Sequence, residues 1–195
     1  MIDTADRSFL FLLASARLDG NTELLARRAA AALPAGTEQR WLRLSEQALA
    51  PFPDRRHEGE GSYPQPEGGE RVLLEATLAA TDVVVASPLY WYSVSADAKL
   101  YLDHWAGWMR VPGYDFRARM AGKTLWGVTA LATEDFSVAD PLVGTLKLSG
   151  EYLGMTWGGA LMGYANRPGQ VAEDARALAA ADTFFSQSSL RPGRA

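Results

Sequence analysis

An unbroken apolar run that passes straight into a small polar loop and then a helix constrains this chain most. Phe9, Leu10, Phe11, Leu12, Leu13 and Ala14 make a run of strand length, the pattern of a parallel strand covered on both faces. Ser15, Ala16, Arg17, Leu18, Asp19, Gly20, Asn21 and Thr22 form the loop, and Leu24, Leu25, Ala29, Ala32 and Leu33 then recur at helical spacing up to Pro34, Ala35 and Gly36. The unit repeats. A second strand holds Trp41, Leu42 and Leu44, less purely apolar and so nearer an edge, and Val72, Leu73, Ala76, Ala79 and Ala80 give the next helical face. Residues 82–87 predict a third strand, followed by a helix whose face carries Ala98, Tyr101, Leu102, Trp105, Trp108 and Met109, with Ser93 or Ser95 as its cap. A fourth strand over 125–131, a helix over 142–153, a fifth strand over 155–162 and a helix near 171–185 complete the order. Five strand–helix repeats predict an α/β fold, a doubly wound parallel sheet with right-handed crossovers.

The 195 residues suit one domain, read as 1–195 with its core at about 8–185. Apolar residues at 48% and charged residues at 22% suit a chain that buries a full core. Residues 45–69, rich in Pro, Gly and charge, read as a long loop that is functional or mobile, and 186–195 as a polar tail. The absence of Cys excludes disulfides, thiolate zinc, iron–sulfur clusters and a thiol nucleophile, and two His far apart argue against a His-rich metal site. A net charge of −4 offers no basic footprint for nucleic acid or an anionic membrane. No stretch has the length of a membrane span, and residues 9–14 are too short and too acidic in their flank for a signal peptide. The chain reads as cytoplasmic.

In an open α/β sheet, ligands bind beyond the carboxyl ends of the strands. The loop after strand one offers Ser15, Asn21 and Thr22 as donors, Arg17 as a cation and Gly20 for tight backbone at a helix start. Free amides and the positive end of the helix dipole make it a phosphate cradle; the alternative is an ordinary loop with Asn21 or Thr22 as the N-cap. The loop after strand three, Pro88, Leu89, Tyr90, Trp91, Tyr92 and Ser93, sets aromatics in succession where a core strand ends. They are either packed beneath residues 45–69 or a platform for a flat conjugated ligand. With no Gly between 88 and 93, positive φ is disfavoured and the loop reads as stiff. The loop after strand four, including Thr133, Glu134 and Asp135, either covers the far edge of such a ligand or starts a helix before Val138. His104 reads as a core or surface residue, and the Trp105 and Trp108 stripe as core or subunit interface. A Walker A loop fails because Arg117 stands where its first Gly is needed, and G-x-G-x-x-G and G-x-S-x-G are both absent.

Residues 15–22 resemble the FMN-phosphate loop, S-x-R-x-x-(S/G)-N-T, of the flavodoxin-like NAD(P)H-dependent FMN and quinone reductases. Ser87, Pro88, Leu89, Tyr90, Trp91, Tyr92 and Ser93, followed by Lys99 and Asp103, are similar to that family's P-x-Y-(W/N)-x segment, which lies along the isoalloxazine ring. The resemblance implies a flavodoxin-like sheet of order 2-1-3-4-5. It implies FMN held by Ser15, Arg17, Gly20, Asn21, Thr22, Pro88, Leu89, Tyr90, Trp91, Tyr92, Ser93 and Thr133, with no metal and no catalytic acid. It implies hydride from NADPH or NADH, a quinone, flavin or similar small-molecule acceptor, and a homodimer or homotetramer, to which the aromatic helix face also points. A stiff 88–93 loop favours two-electron chemistry. A one-electron flavodoxin-type carrier and a flavin-binding accessory subunit of a larger partner are the alternatives.

Overall fold

The computed structural model describes residues 7–186. Its five strands, β1 (Ser8–Leu13), β2 (Glu38–Arg43), β3 (Asp82–Ala86), β4 (Thr124–Leu131) and β5 (Thr156–Tyr164), make one sheet of order β2-β1-β3-β4-β5. Every pairing is parallel, so each connection crosses over through the helices on the two faces. These are α1 (Asn21–Ala31), α2 (Gly68–Ala79), α3 (Ala96–Trp108), α4 (Phe116–Met120), α5 (Asp140–Tyr152) and α6 (Ala175–Ala181).

The apolar run of β1 is continuous because the strand is covered twice. Leu10 and Leu12 join a core cluster with residues of α2, α3 and α5, whereas Phe9, Phe11 and Leu13 pack with α1 and α6. β2 is an edge strand and carries charge there, with Glu38, Gln39 and Arg40 exposed, which discourages pairing with another chain. At the amino ends of the strands, Asp82 is buried against Arg7 and the indole N–H of Trp126, and Arg7 also donates to the carbonyl of Phe185 at 2.7 Å.

Several boundaries move. β2 stops at Arg43, and Leu44 opens a 3-10 turn. α5 starts at Asp140, with Pro141 in its first turn, where a missing N–H costs nothing. The final helical stretch is divided: Asp174 accepts from Ala177 N at 3.0 Å to cap α6, and from Tyr164 N at 2.8 Å. α4 is too short for its period to show in the sequence. Residues 187–195 of the expected tail lie outside the described residues.

Residues 45–69 pack down on α2 and α3. Tyr63 is buried, its ring stacks on Phe52 at 5.8 Å, and its hydroxyl donates to Pro53 O at 3.0 Å while accepting from Arg55 N at 2.8 Å. Gly69 permits the closest approach: a Cβ there would stand 1.7 Å from the carbonyl oxygen of Gln47. This packing corrects the expectation of an aromatic subunit face. Tyr101 and Trp108 are 0% exposed and Trp105 is 4% exposed. Phe116 of α4 meets Trp108 edge-on at 5.5 Å, and the His104 ring lies beside Phe52 at 5.6 Å. The stripe is covered by α4 and the long loop as well as by the sheet, so it offers no surface to a second subunit.

Candidate functional site

The carboxyl ends of β1 and β3 are joined by the backbone bond from Ala14 N to Ala86 O at 3.0 Å, which brings their loops side by side. Two serines fasten the junction. Ser95 Oγ donates to Ala14 O at 2.7 Å and accepts from Ala98 N at 3.3 Å, so the cap of α3 also holds the end of β1. Ser87 Oγ accepts from Ser95 N at 2.8 Å and donates to Pro88 O at 3.0 Å. Of the two expected caps, Ser95 fills the position.

The first loop presents an uncapped helix. Gly20, not Asn21 or Thr22, is the N-cap of α1, and no side chain caps it. The ladder begins with Leu24 N donating to Gly20 O, which leaves the amides of Asn21, Thr22 and Glu23 without partners among the described residues. Gly20 has φ −70° and ψ 160°, a conformation open to any residue. Its contribution is closeness, since a Cβ would lie 3.4 Å from Ser15 Oγ. Ser15 is buried and its Oγ accepts from Arg17 N at 3.2 Å, so its proton is still to be placed. Thr22 is only 3% exposed, and its hydroxyl has no hydrogen bond among the described residues. Arg17 is exposed with its guanidinium unpaired among the described residues. The Asn21 side chain is engaged elsewhere: Nδ2 donates to Arg167 O at 2.9 Å, and Oδ1 accepts from Val171 N at 3.4 Å. Its backbone amide has no partner among the described residues.

Beneath this loop lies an ionic support that the sequence did not reveal. Arg43, at the end of β2, donates to Ser15 O at 3.3 Å and Arg17 O at 3.5 Å, and pairs with Glu23 at 2.7 Å. Arg27 pairs with the same carboxylate at 2.7 Å. Burial pushes the Glu23 carboxyl up, but hydrogen bonds from Arg43 and Arg27 outweigh it and hold the group below its ordinary value. Glu23 therefore stays ionised and Arg43 stays directed at the loop carbonyls.

The second loop decides between the two readings of its aromatics and departs from expectation in its backbone. Tyr90, Trp91 and Tyr92 do not pack beneath residues 45–69; Trp91 is 94% exposed, and both tyrosines are more than half exposed. Trp91 and Tyr92 also have positive φ, 48° and 64°. Tyr90 N donates to Ser93 O and Ser93 N to Tyr90 O, each at 3.1 Å. Those reciprocal bonds close a two-residue turn of the kind that demands positive φ at both central positions. The expectation that a glycine-free loop avoids positive φ is therefore wrong here, and the loop's backbone does not favour two-electron chemistry. Pro88, Leu89 and Ser93 are half-buried and form the base of the turn.

The third loop serves its own turn. Thr133 Oγ1 accepts from Asp135 N at 3.2 Å, and Asp135 Oδ1 accepts from Ser137 N at 3.1 Å and Ser137 Oγ at 2.6 Å, opening a 3-10 turn over Phe136–Ala139. The Ser137 bonds hold the Asp135 carboxyl below its ordinary range. No hydrogen bond among the described residues joins Thr133 to the first two loops. A concavity of about 510 Å³ lies farther along the rim, lined by Glu134, Tyr164, Glu173, Asp174 and Arg176 among others; it contains none of the expected site residues. Lys99 and Asp103 pair with each other at 2.5 Å on exposed turns of α3. His104 is a core residue, its Nδ1 3.0 Å from Glu70 and its Nε2 2.9 Å from Ala50 O.

The sequence matches the family described as flavodoxin-like fold over residues 7–184. The chain belongs to the flavodoxin-like fold family. Among its relatives is YwqN of Bacillus subtilis (strain 168), by its name a candidate NAD(P)H-dependent FMN-containing oxidoreductase. The two are 28% identical over 173 residues, covering 88% of this chain and 93% of YwqN. The solved Trp repressor binding protein from Bacillus subtilis superposes with a TM-score of 0.71 at 22% identity, covering 93% of this chain and 99% of that one. An FMN-dependent NADH-azoreductase from Bacillus anthracis str. Ames Ancestor, solved in complex with FMN, gives a TM-score of 0.66 at 13% identity, covering 94% and 99%. Within this flavodoxin-like sheet residues 15–22 and the aromatic turn lie at the ends of β1 and β3, beside the place where strand order reverses. No helix among the described residues is long and apolar enough to cross a membrane.

Proposed function

We propose that this flavodoxin-like protein is an FMN-dependent oxidoreductase that takes hydride from NADH or NADPH and passes electrons to a small acceptor such as a quinone or flavin. The observation that carries the reading is the uncapped start of α1, where three free amides and the unpaired Thr22 hydroxyl share one loop with Arg17. Donors gathered at a helix start suit a phosphomonoester. The residues fit FMN: Ser15, Arg17, Thr22 and the amides of Asn21 to Glu23 hold its phosphate, and Pro88 to Ser93 set aromatic surface against its ring. Bound FMN supplies the hydride and electron chemistry; the protein supplies position and charge.

Each residue has a defined share in that task. Arg17 answers the phosphate charge, Ser15 and Thr22 direct their hydroxyl protons, and Arg43 keeps the loop carbonyls turned away from the anion. The Tyr90 to Ser93 turn holds aromatic surface at the mouth, where flat donors and acceptors meet it. The name of YwqN supports the donor and cofactor.

Arg17→Ala tests the cradle. Loss of a charge-assisted bond of about 1.5–3 kcal/mol weakens FMN binding roughly ten- to a hundred-fold, with the melting temperature of the apoprotein nearly unchanged. An unchanged dissociation constant overturns the assignment.

A further inference from the structure

We propose that Arg167, on the loop between β5 and α6, is a second cation of the phosphate site and gives the protein its preference for a phosphorylated flavin. The inference rests on the FMN reading above and concerns a residue far from residues 15–22 in sequence.

The charge around the cradle motivates it. Glu23 is answered by Arg27 and Arg43, and Arg17 shares its loop with Asp19. Arg43 also lies 3.6 Å from Glu46, so three arginines face three carboxylates and leave no positive charge in excess. A phosphomonoester near neutral pH carries about −1.5 to −2, so a second cation is needed for balance. Arg167 meets the need by position. Its carbonyl accepts from Asn21 Nδ2 at 2.9 Å, which places its backbone against the first residue of α1. Its own N–H and that of Asn166 both donate to Gln170 Oε1, at 3.1 and 2.8 Å. Pro168 follows directly and fixes one more dihedral. The backbone is thus held from both sides, while the side chain is exposed and has no ion pair or hydrogen bond among the described residues. A free guanidinium on a fixed base beside unmatched donors loses little backbone freedom when it closes on an anion. The same arrangement explains why Asn21 spends its amide on the neighbouring loop instead of capping its own helix.

Riboflavin, which lacks the phosphate, makes the test specific. Dissociation constants for FMN and riboflavin are to be measured by flavin fluorescence for the unmodified protein, Arg167→Gln and Arg17→Ala, with apoprotein melting as the control for folding. The expected result is an FMN affinity roughly ten-fold lower in Arg167→Gln, an unchanged riboflavin affinity and an unchanged melting temperature. Unchanged FMN affinity, or equal weakening of both flavins, overturns the role of Arg167. If Arg17→Ala loses FMN selectivity while Arg167→Gln keeps it, the cradle stands and only this inference fails. If the unmodified protein binds FMN no better than riboflavin, the phosphate reading falls with it.

Discussion

Ser95 Oγ lies 2.7 Å from the carbonyl oxygen of Ala14 and donates to it, so one hydroxyl closes the amino end of α3 and the carboxyl end of β1. The two loops of the candidate site are set against each other by this contact and by its neighbour from Ser95 N to Ser87 Oγ.

Ser95→Ala removes the cap and leaves a buried carbonyl without its donor. Loss of the cap costs about 1 kcal/mol and the unsatisfied carbonyl about 1–3 kcal/mol. Denaturant unfolding is expected to show a loss of about 2–4 kcal/mol. FMN affinity is expected to fall with it, because the cradle and turn no longer share a fixed edge. Unchanged unfolding would show that solvent takes over the hydroxyl's part.

The turn at Trp91 and Tyr92 holds two side chains in a left-handed conformation, at a cost of about 1–3 kcal/mol each. Trp91→Asn combined with Tyr92→Gly supplies the residues such a turn prefers. The apoprotein is expected to gain about 1–2 kcal/mol of stability, while FMN affinity drops several-fold as aromatic surface is lost. A gain in stability with no loss of flavin affinity would separate the turn from the site.

The His104 and Glu70 pair gives a pH signature. Burial opposes the charged ring, but bonds to Glu70 and Ala50 outweigh it and raise the His104 value above 6.5, with Asp103 adding to the effect. The His104 bond, assisted by Trp108 N–H, overcomes burial and lowers Glu70 below 4.5. A raised His value gives stability that is full below 6.5 and is lost as pH rises through the folded value. A lowered Glu value gives stability present above 4.5 and lost as pH falls through its folded value. Unfolding free energy is therefore expected to decline above pH 6.5 in the unmodified protein and less in His104→Gln. Equal slopes for both would contradict the ion pair.

The parts legible in the sequence are those that repeat or alternate. The double-sided burial of β1 and β3 shows as unbroken apolar runs, and the order of elements specifies the parallel sheet. The loop at 15–22 stands out in the sequence because Arg17 and Thr22 have no task within a minimal connection. Of the two readings of the aromatic stripe on α3, core holds and subunit interface fails, because its cover, Phe52, Tyr63 and Phe116, comes from segments whose packing has no period. Arg43 was missed because its role depends on strand pairing: the partner of Leu13 across β1 and β2 is Arg43, and register is a tertiary fact. The positive φ of Trp91 and Tyr92 is a case of reciprocal hydrogen bonds overriding local preference.

Anaerobic mixing of the FMN-loaded protein with NADH and with NADPH, followed by flavin absorbance, separates a reductase from a carrier. At least one nicotinamide is expected to bleach the oxidised flavin directly, and added quinone to restore it. Flavin that stays oxidised with both nicotinamides, yet is reduced by dithionite, would contradict the reductase and leave a flavin-binding carrier in its place.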